Sequence, residues 1–172
     1  MLSGKSGLLD TVEKCVKVTQ SSPTAVGYAL GGARILNHVI ETGEDGLDAA
    51  IKQLREPNRQ HKFVTDETVA ASIEKGKAAS GKSHSVAVKE FGLACGMPAS
   101  FHGMIHGIAT AKDYQSAVRA GILAAGDNCS RGGFIGACVA ARFGLESIPE
   151  DWVMKVKQAE EILRYIETIV QC

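Results

Sequence analysis

The chain has 172 residues, of which 45% are hydrophobic and 22% charged, the composition of one ordinary soluble domain. Its 19 basic and 19 acidic side chains cancel, so we expect neither nucleic acid nor an anionic membrane as a partner. No stretch approaches the roughly 20 apolar residues that a membrane span needs, and the first residues lack the apolar core of a signal peptide. Five cysteines without CxxC spacing predict free thiols in a reducing compartment, the cytosol or the nucleus, and of these we expect a cytoplasmic location.

Helical patterns dominate the first half of the chain. Ser22 followed by Pro23 predicts the start of a helix, and Gly43 is expected to end it. Gly27 and Gly31 leave one side of this helix bare, so that a second helix can approach it closely. The other elements predicted in this half are a helix over 45–54, a surface loop over 55–63 and a helix capped by Thr65 or Asp66.

The second half of the chain is helical as well. The apolar segment 84–94 fits either a helix or a strand, Pro98 starts a helix that runs through Ala109, and Asp113 caps the next one. Residues 133–143 carry so few charges that we expect their helix to be buried on most sides. Apolar residues from Trp152 to Val170, spaced alternately by 4 and 3, predict one long amphipathic helix. Because no segment alternates with period two, the predicted fold class is all-α.

The segment Gly126-Asp127-Asn128-Cys129-Ser130 places polar groups between two apolar helices. Gly126 lets the chain turn sharply where the first helix ends, so Asp127 is expected at the mouth of the second. The Asp127 carboxylate either caps this helix by accepting backbone N–H groups or binds a hard cation together with the Ser130 hydroxyl. The spacing alone favours the cap, while the small residues on both sides leave room for a ligand to enter.

Two further polar patterns have ordinary structural explanations. His102 and His106 have the spacing of a zinc-binding helix, but Gly103 stands where such helices carry the general base, and no third ligand is visible. Packed or surface histidines are therefore favoured over zinc. The acids in Thr65–Thr68 belong to the first turn of a helix, where helix capping accounts for them.

The run AAGDNCSRGGFIGACVAARFGLESIPEDW, residues 124–152, resembles the C-terminal signature of the ADP-ribosylglycohydrolases. In that signature Gly-Asp-x-Asp-Thr is followed by a small-residue helix, Tyr-Gly and Ile-Pro-x-x-Trp. The segments 97–128 and 18–36 resemble upstream parts of the same family in the same order. The sequence GDNCSRGG is most similar to the branch of the family that contains the J-type crystallins, which are lens proteins recruited from this family.

The resemblance extends from about Val16 to Trp152 and implies an all-α orthogonal bundle around a cleft that holds two magnesium ions. On this basis residues 1–172 form a single domain that corresponds to the C-terminal half of the family domain, truncated at its N-terminus. The implied activity is hydrolysis of a bond to ADP-ribose, in which the paired metals orient the ribose and stabilise charge at the attacking water. The expected ligand is ADP-ribose or an ADP-ribosylated molecule.

The resemblance also implies the site residues. Asp127 matches the first signature aspartate and Ser130 the threonine, both as metal ligands, while Cys129 falls where the family has its second aspartate. A thiolate is a soft ligand poorly suited to magnesium, which prefers oxygen. The positions implied for substrate binding are Gln20, where the family has a pocket histidine, Gly92 in a loop that forms a pocket wall, Gly126 and Asn128.

The family's second acidic cluster precedes its Leu-Thr-His region, whereas Thr65–Thr68 follows the corresponding segment here. We therefore predict a family member that is non-catalytic or weakly active in this form. The alternative is an active magnesium-dependent hydrolase that releases ADP-ribose from a conjugate, with the missing half supplied by dimerisation or a longer isoform. The apolar stripe from Trp152 to Val170 is a surface through which we expect a homo-oligomer to form.

Overall fold

The computed structural model describes residues 7–57 and 62–171 of the chain. These residues contain helices and turns and no strand, so the predicted all-α fold is confirmed. The helices are α1 Leu8–Lys17, α2 Pro23–Thr42, α3 Leu47–Arg55, α4 Asp66–Ala78, α5 His84–Phe91, α6 Ala99–Thr110, α7 Tyr114–Leu123, α8 Asn128–Phe143, α9 Glu150–Val153 and α10 Ala159–Gln171, with a 3₁₀ turn at Leu145–Ser147. Over the described ranges, none of the helices has the length and apolarity that crossing a membrane requires.

Helix α6 lies at the centre of the bundle. All of its residues from Ser100 to Ile108 are buried, and α4, α5, α7 and α8 pack around it. Two glycines leave part of its surface without side chains. A Cβ atom on Gly103 would lie 2.7 Å from Cδ of Arg131, and one on Gly107 would lie 2.5 Å from Cδ1 of Ile135. Both neighbours belong to α8, which therefore packs on α6 more closely than larger residues would allow.

Helix α2 has the boundaries and the bare side that its sequence predicts. The Ser22 hydroxyl accepts the N–H of Ala25 at 3.1 Å, and Gly43 ends the helix in the left-handed conformation at φ 74°. A Cβ atom on Gly31 would lie 2.5 Å from Cγ1 of Val69 on α4. The predicted close approach of a second helix is confirmed, and the approaching helix is α4.

Three boundaries differ from the expected ones or settle an open choice. The ambiguous segment 84–94 is the helix α5 followed by an irregular loop, and it contains no strand. Helix α3 continues through Arg55, the first residue of the predicted loop 55–63, and residues 58–61 of that loop lie outside the described residues. Helix α1, which was not predicted, has no buried residue and packs along α2.

Helix α8 is longer and less buried than its sequence suggests. It begins at Asn128 rather than Gly133, and its inner residues Arg131, Ile135, Cys138 and Val139 are buried against α6 and α2. Its outer residues, which include Gly132, Gly133 and Ala137, are exposed. The expectation that this helix is buried on most sides is wrong, since a scarcity of charge here reflects small residues on an open face.

The expected single helix from Trp152 to Val170 is also wrong, because it is two helices separated by the non-helical residues 154–158. The ring centroids of Trp152 and Tyr114 are 6.3 Å apart, and Cζ of Arg119 lies 5.6 Å from the centroid of the Trp152 ring. These contacts attach α9 to α7. The apolar stripe continues on α10, but its residues remain largely in solvent. Ile166 and Ile169, for example, are 48% and 59% exposed.

A pair of buried histidines joins α5 to α6. The Nδ1 atoms of His84 and His106 are 3.0 Å apart, and Nε2 of His106 donates to the Ala79 carbonyl at 3.1 Å. His106 Nδ1 is therefore the acceptor and His84 Nδ1 the donor, which leaves Nε2 of His84 buried with no hydrogen-bond partner among the described residues. Burial, reinforced by His106 and Arg131, lowers the pKa of His84 to about 4.

We predict that acid destabilises the fold through His84 before carboxylates are protonated. In the unfolded chain His84 takes up a proton near its usual pKa of 6.5, whereas in the folded chain it does so near 4. The unfolded state therefore binds more protons, and the free energy of unfolding falls by about 2 kcal/mol between pH 7 and pH 4.5. Urea unfolding at several pH values measures this dependence. His84→Asn keeps a donor near the Nδ1 position and cannot titrate, so its dependence is expected to be flatter; equal slopes for both proteins would disprove the assignment.

Candidate functional site

The polar segment predicted as a site forms the turn between α7 and α8. Ala125 and Gly126 both adopt the left-handed conformation, at φ 61° and 69°. A Cβ atom on Gly126 would lie 2.3 Å from the carbonyl oxygen of Leu93, and the N–H of Asp127 donates to that same oxygen at 2.9 Å. Glycine is therefore required at position 126 by its backbone conformation and by the close approach of the 92–98 loop.

Asp127 is the cap of α8. Its carboxylate accepts the N–H of Ser130 at 3.2 Å and closes the first turn of the helix. Hydrogen bonds from the Ser130 hydroxyl and backbone, together with the nearby Arg131 charge, hold the pKa of Asp127 below its usual value. The carboxylate is thus ionised at neutral pH and engaged in the cap, while it remains partly accessible to solvent.

Arg131, which the sequence analysis did not single out, holds this turn from the inside. The residue is fully buried, and its Nη2 donates to the Ala125 carbonyl and, at 3.1 Å, to Oδ1 of Asn128. Asn128 in turn donates from Nδ2 to the Ile122 carbonyl at 3.1 Å. Both ends of the Asn128 side chain therefore make hydrogen bonds within the turn.

The buried guanidinium is only partly satisfied. Nε and Nη1 of Arg131 have no hydrogen-bond partner within the described residues, and burial lowers the pKa of the group while Asp127 opposes this effect. Leaving donors of a charged group unpaired lowers the stability of the fold. The hydrogen bonds by which Arg131 holds the turn offset part of this loss. The sequence signal was an arginine in register with Ile135 and Cys138 on the inner side of an otherwise uncharged helix.

The other predicted site residues occupy different surroundings. Cys129 and Ser130 are exposed on the outer side of the first turn of α8. Gly92 ends α5 at φ 119°, where a Cβ atom would lie 3.3 Å from Cβ of Ala99, so its position is explained by the turn it makes. Gln20 lies apart from these residues, at an apolar groove.

This groove has a volume of about 620 Å³ and runs along α2. It is lined by Val16, Thr19, Gln20, Ala25, Tyr28, Ala29, Gly32, Ala33, Leu36, Cys95, Met97, Phe101, Met104 and Phe134. The 92–98 loop contributes to the groove and also contacts Gly126 and Asp127. The structure therefore joins the Asp127 turn and the Gln20 groove through this loop, without placing Gln20 beside Asp127.

The donor groups at the turn fit a pair of magnesium ions poorly. Asp127 and Ser130 supply hard oxygen ligands, but they are already hydrogen-bonded to each other, and the adjacent Cys129 supplies a soft sulfur. Between residues 7–57 and 62–171 there is no group of three or more His, Cys, Asp and Glu side chains that could hold a metal ion. The acids at Asp66 and Glu67 are occupied elsewhere, since Asp66 accepts the Phe63 N–H at 2.6 Å and Glu67 pairs with Arg55 at 2.7 Å.

The chain is an all-α helical bundle in which a helix of small residues, capped by Asp127, lies beside an apolar groove. Comparisons with known proteins identify its family. The profile described as ADP-ribosylglycohydrolase matches residues 3–171, and the chain belongs to this family. It is 35% identical over 166 residues to Crystallin J1A of Tripedalia cystophora, and 28% identical over 173 residues to Crystallin J1B of the same animal. These matches cover 95% and 96% of this chain but 49% of each crystallin, so the chain spans about half the length of these relatives. No solved structure gives a significant match.

If Asp127 serves chiefly as a cap, its hydrogen bond matters more to stability than its charge. We expect Asp127→Ala to lower the melting temperature by about 3 °C, whereas Asp127→Asn, which caps equally well, leaves it nearly unchanged. Asp113, which caps α7 through the Ser116 N–H at 2.7 Å, provides the matched pair of substitutions. Circular dichroism melts measure all four variants. A loss in Asp127→Asn as large as that in Asp127→Ala would show that the charge itself is needed.

Proposed function

We propose that this chain is a crystallin-like member of the ADP-ribosylglycohydrolase family that does not hydrolyse ADP-ribose conjugates efficiently by itself. The observation that carries the proposal is the chemistry of the α8 N-terminus, where an aspartate and a serine form the helix cap and a cysteine stands beside them. Its curated relatives carry the name crystallin, which agrees with a structural rather than a catalytic role.

The ligand set supports the proposal. Magnesium in enzymes is held by one or more carboxylates and usually retains several waters. Asp127 is the single carboxylate of the turn, and using it as a metal ligand competes with its hydrogen bonds to Ser130. Cys129 does not compensate, because a cysteine sulfur is a soft donor and a poor ligand for a hard cation.

The share of its relatives' length that the chain covers also supports the proposal. The family acts on ADP-ribosylated substrates, and the whole relatives are about twice as long as the region matched here. We infer that any activity of the family type requires residues from that additional length. ADP-ribose and ADP-ribosylated molecules remain the ligand class to test, and magnesium the metal.

Titration calorimetry with magnesium chloride tests the proposal. We expect no saturable binding tighter than about 1 mM for the unmodified chain, because one capped carboxylate is too little charge for a magnesium site. Cys129→Asp adds a second carboxylate beside Asp127 and is expected to tighten binding about tenfold, which corresponds to about 1.4 kcal/mol. Cys129→Ser is the matched control and should behave like the unmodified chain.

Release of ADP-ribose from arginine-linked, serine-linked and small-molecule conjugates is measured in parallel by mass spectrometry. Turnover by the unmodified chain, together with tight stoichiometric magnesium binding and loss of both in Asp127→Asn, would contradict the proposal. That result would establish the alternative, an active magnesium-dependent hydrolase. Asp127→Asn is preferred over Asp127→Ala here because it removes the charge and preserves the cap.

A further inference from the structure

His102 and His106 share one helix, yet the structure gives their imidazoles different surroundings. His106 is hydrogen-bonded to His84 and to the Ala79 carbonyl. His102 is 4% exposed, and its ring packs on Phe91 with 5.2 Å between the centroids. In the described part of the chain its ring nitrogens have no hydrogen-bond partner. A buried polar side chain that makes no hydrogen bond costs free energy, so His102 is a candidate for contact with a ligand.

The His102 ring lines a cleft of about 430 Å³ between α4 and the start of α6. The cleft is lined by Tyr28, Glu67, Thr68, Ala71, Ser72, Lys75, Pro98 and His102. None of these residues belongs to the turn between α7 and α8. The volume falls within the range of small-molecule sites, which is about 300–1,000 Å³.

Two hydroxyl groups of the cleft are already engaged within the chain. Ser72 donates its hydroxyl hydrogen to the Thr68 carbonyl at 2.8 Å. Because a serine has one such hydrogen, the Tyr28 hydroxyl is the donor in its own 2.8 Å bond to the Ser72 oxygen. The donors left for a ligand are the Thr68 hydroxyl, the Lys75 ammonium and one N–H of the His102 ring.

Lys75 supplies the charge of the cleft. It is exposed and has no carboxylate partner among the described residues. Glu67 also lines the cleft, but both of its carboxylate oxygens accept from Arg55. Burial and the Lys75 charge lower the pKa of His102, so its ring is neutral at pH 7. An ammonium, a hydroxyl and an imidazole N–H around one cleft form a donor set that suits the oxygens of a phosphate group.

We propose that the cleft between Lys75 and His102 binds the phosphate group of a small molecule. Three phosphate oxygens accept from Lys75, Thr68 and His102, and Ala71 and Pro98 form apolar walls for the rest of the ligand. The site is separate from the Asp127 turn. The proposal therefore holds whether or not the chain hydrolyses ADP-ribose conjugates.

NMR of the histidine rings, with inorganic phosphate as the probe, tests the proposal. Sodium phosphate is titrated at pH 7, and sodium chloride holds the ionic strength constant so that screening does not change. We expect the Cε1–H signal of His102 to shift and to saturate at millimolar phosphate. The signals of His84 and His106, which are hydrogen-bonded to each other, should stay constant. Acetate, with one charge and two oxygens, should bind more weakly than phosphate.

Substitutions at the rim identify the donors. Lys75→Met removes the charge from an exposed position and should weaken phosphate binding about tenfold or more. Lys77→Met is the matched control, because Lys77 lies on the same helix, pairs with Asp48 and does not line the cleft. Its affinity for phosphate should equal that of the unmodified chain. Thr68→Val removes an uncharged donor and should weaken binding about threefold. Circular dichroism melts verify that each variant is folded.

Asp127→Asn separates this cleft from the site considered under the proposed function, and we expect it to leave phosphate binding unchanged. A His102 signal that does not move with phosphate would overturn the proposal. So would equal phosphate affinities of Lys75→Met and Lys77→Met, because the charge of Lys75 would then play no part. A shift that acetate produces at the same concentration would also contradict a phosphate site.

Discussion

Gly103 and Gly107 on the inner side of α6 determine how α8 is placed, and the placement of α8 determines the geometry of the turn between α7 and α8. Without side chains at positions 103 and 107, α6 accepts Arg131 and Ile135 directly against its backbone. Cores are packed densely enough that a single added methyl group forces neighbours to move. The position of the Asp127 turn is thus set by contacts about one helical turn away from it, inside the bundle, rather than by the polar residues of the turn itself.

Arg131 connects the packing of α8 on α6 to the turn at the surface. Its charged end reaches back beneath the turn and holds the Ala125 carbonyl and the Asn128 side chain, while Gly126 accepts the close contact with Leu93 from the other side. Asp127 and Ser130 are then left facing outward with their hydrogen bonds made to each other. The side chains of this turn are thus held by hydrogen bonds within the chain itself.

Most of the helix boundaries could be predicted from the sequence, and the predictions that were wrong have a common cause. Helix starts at Ser22 and Asp113, the cap at Asp127 and the bare side of α2 all follow from local rules, because each depends on residues within one or two turns. The burial of α8 and the continuity of the terminal helix depend on which other elements are present. Periodicity shows that a face is made for packing, but it does not show whether a neighbour covers it. Arg131 was missed because a buried cation contradicts composition rules, and only the packed structure reveals what it binds.

Hydrogen exchange followed by mass spectrometry tests most directly whether α6 and its contacts with α8 form the stable centre of this chain. Exchange rates report local and global opening along the backbone, and α10, whose apolar residues lie largely in solvent, provides a reference helix within the same molecule. The result expected is that amides of α6 and of the inner side of α8 exchange most slowly and together, while α10 exchanges fast. Exchange of α6 and α8 as rapid as that of α10 would contradict a bundle assembled around the two glycines.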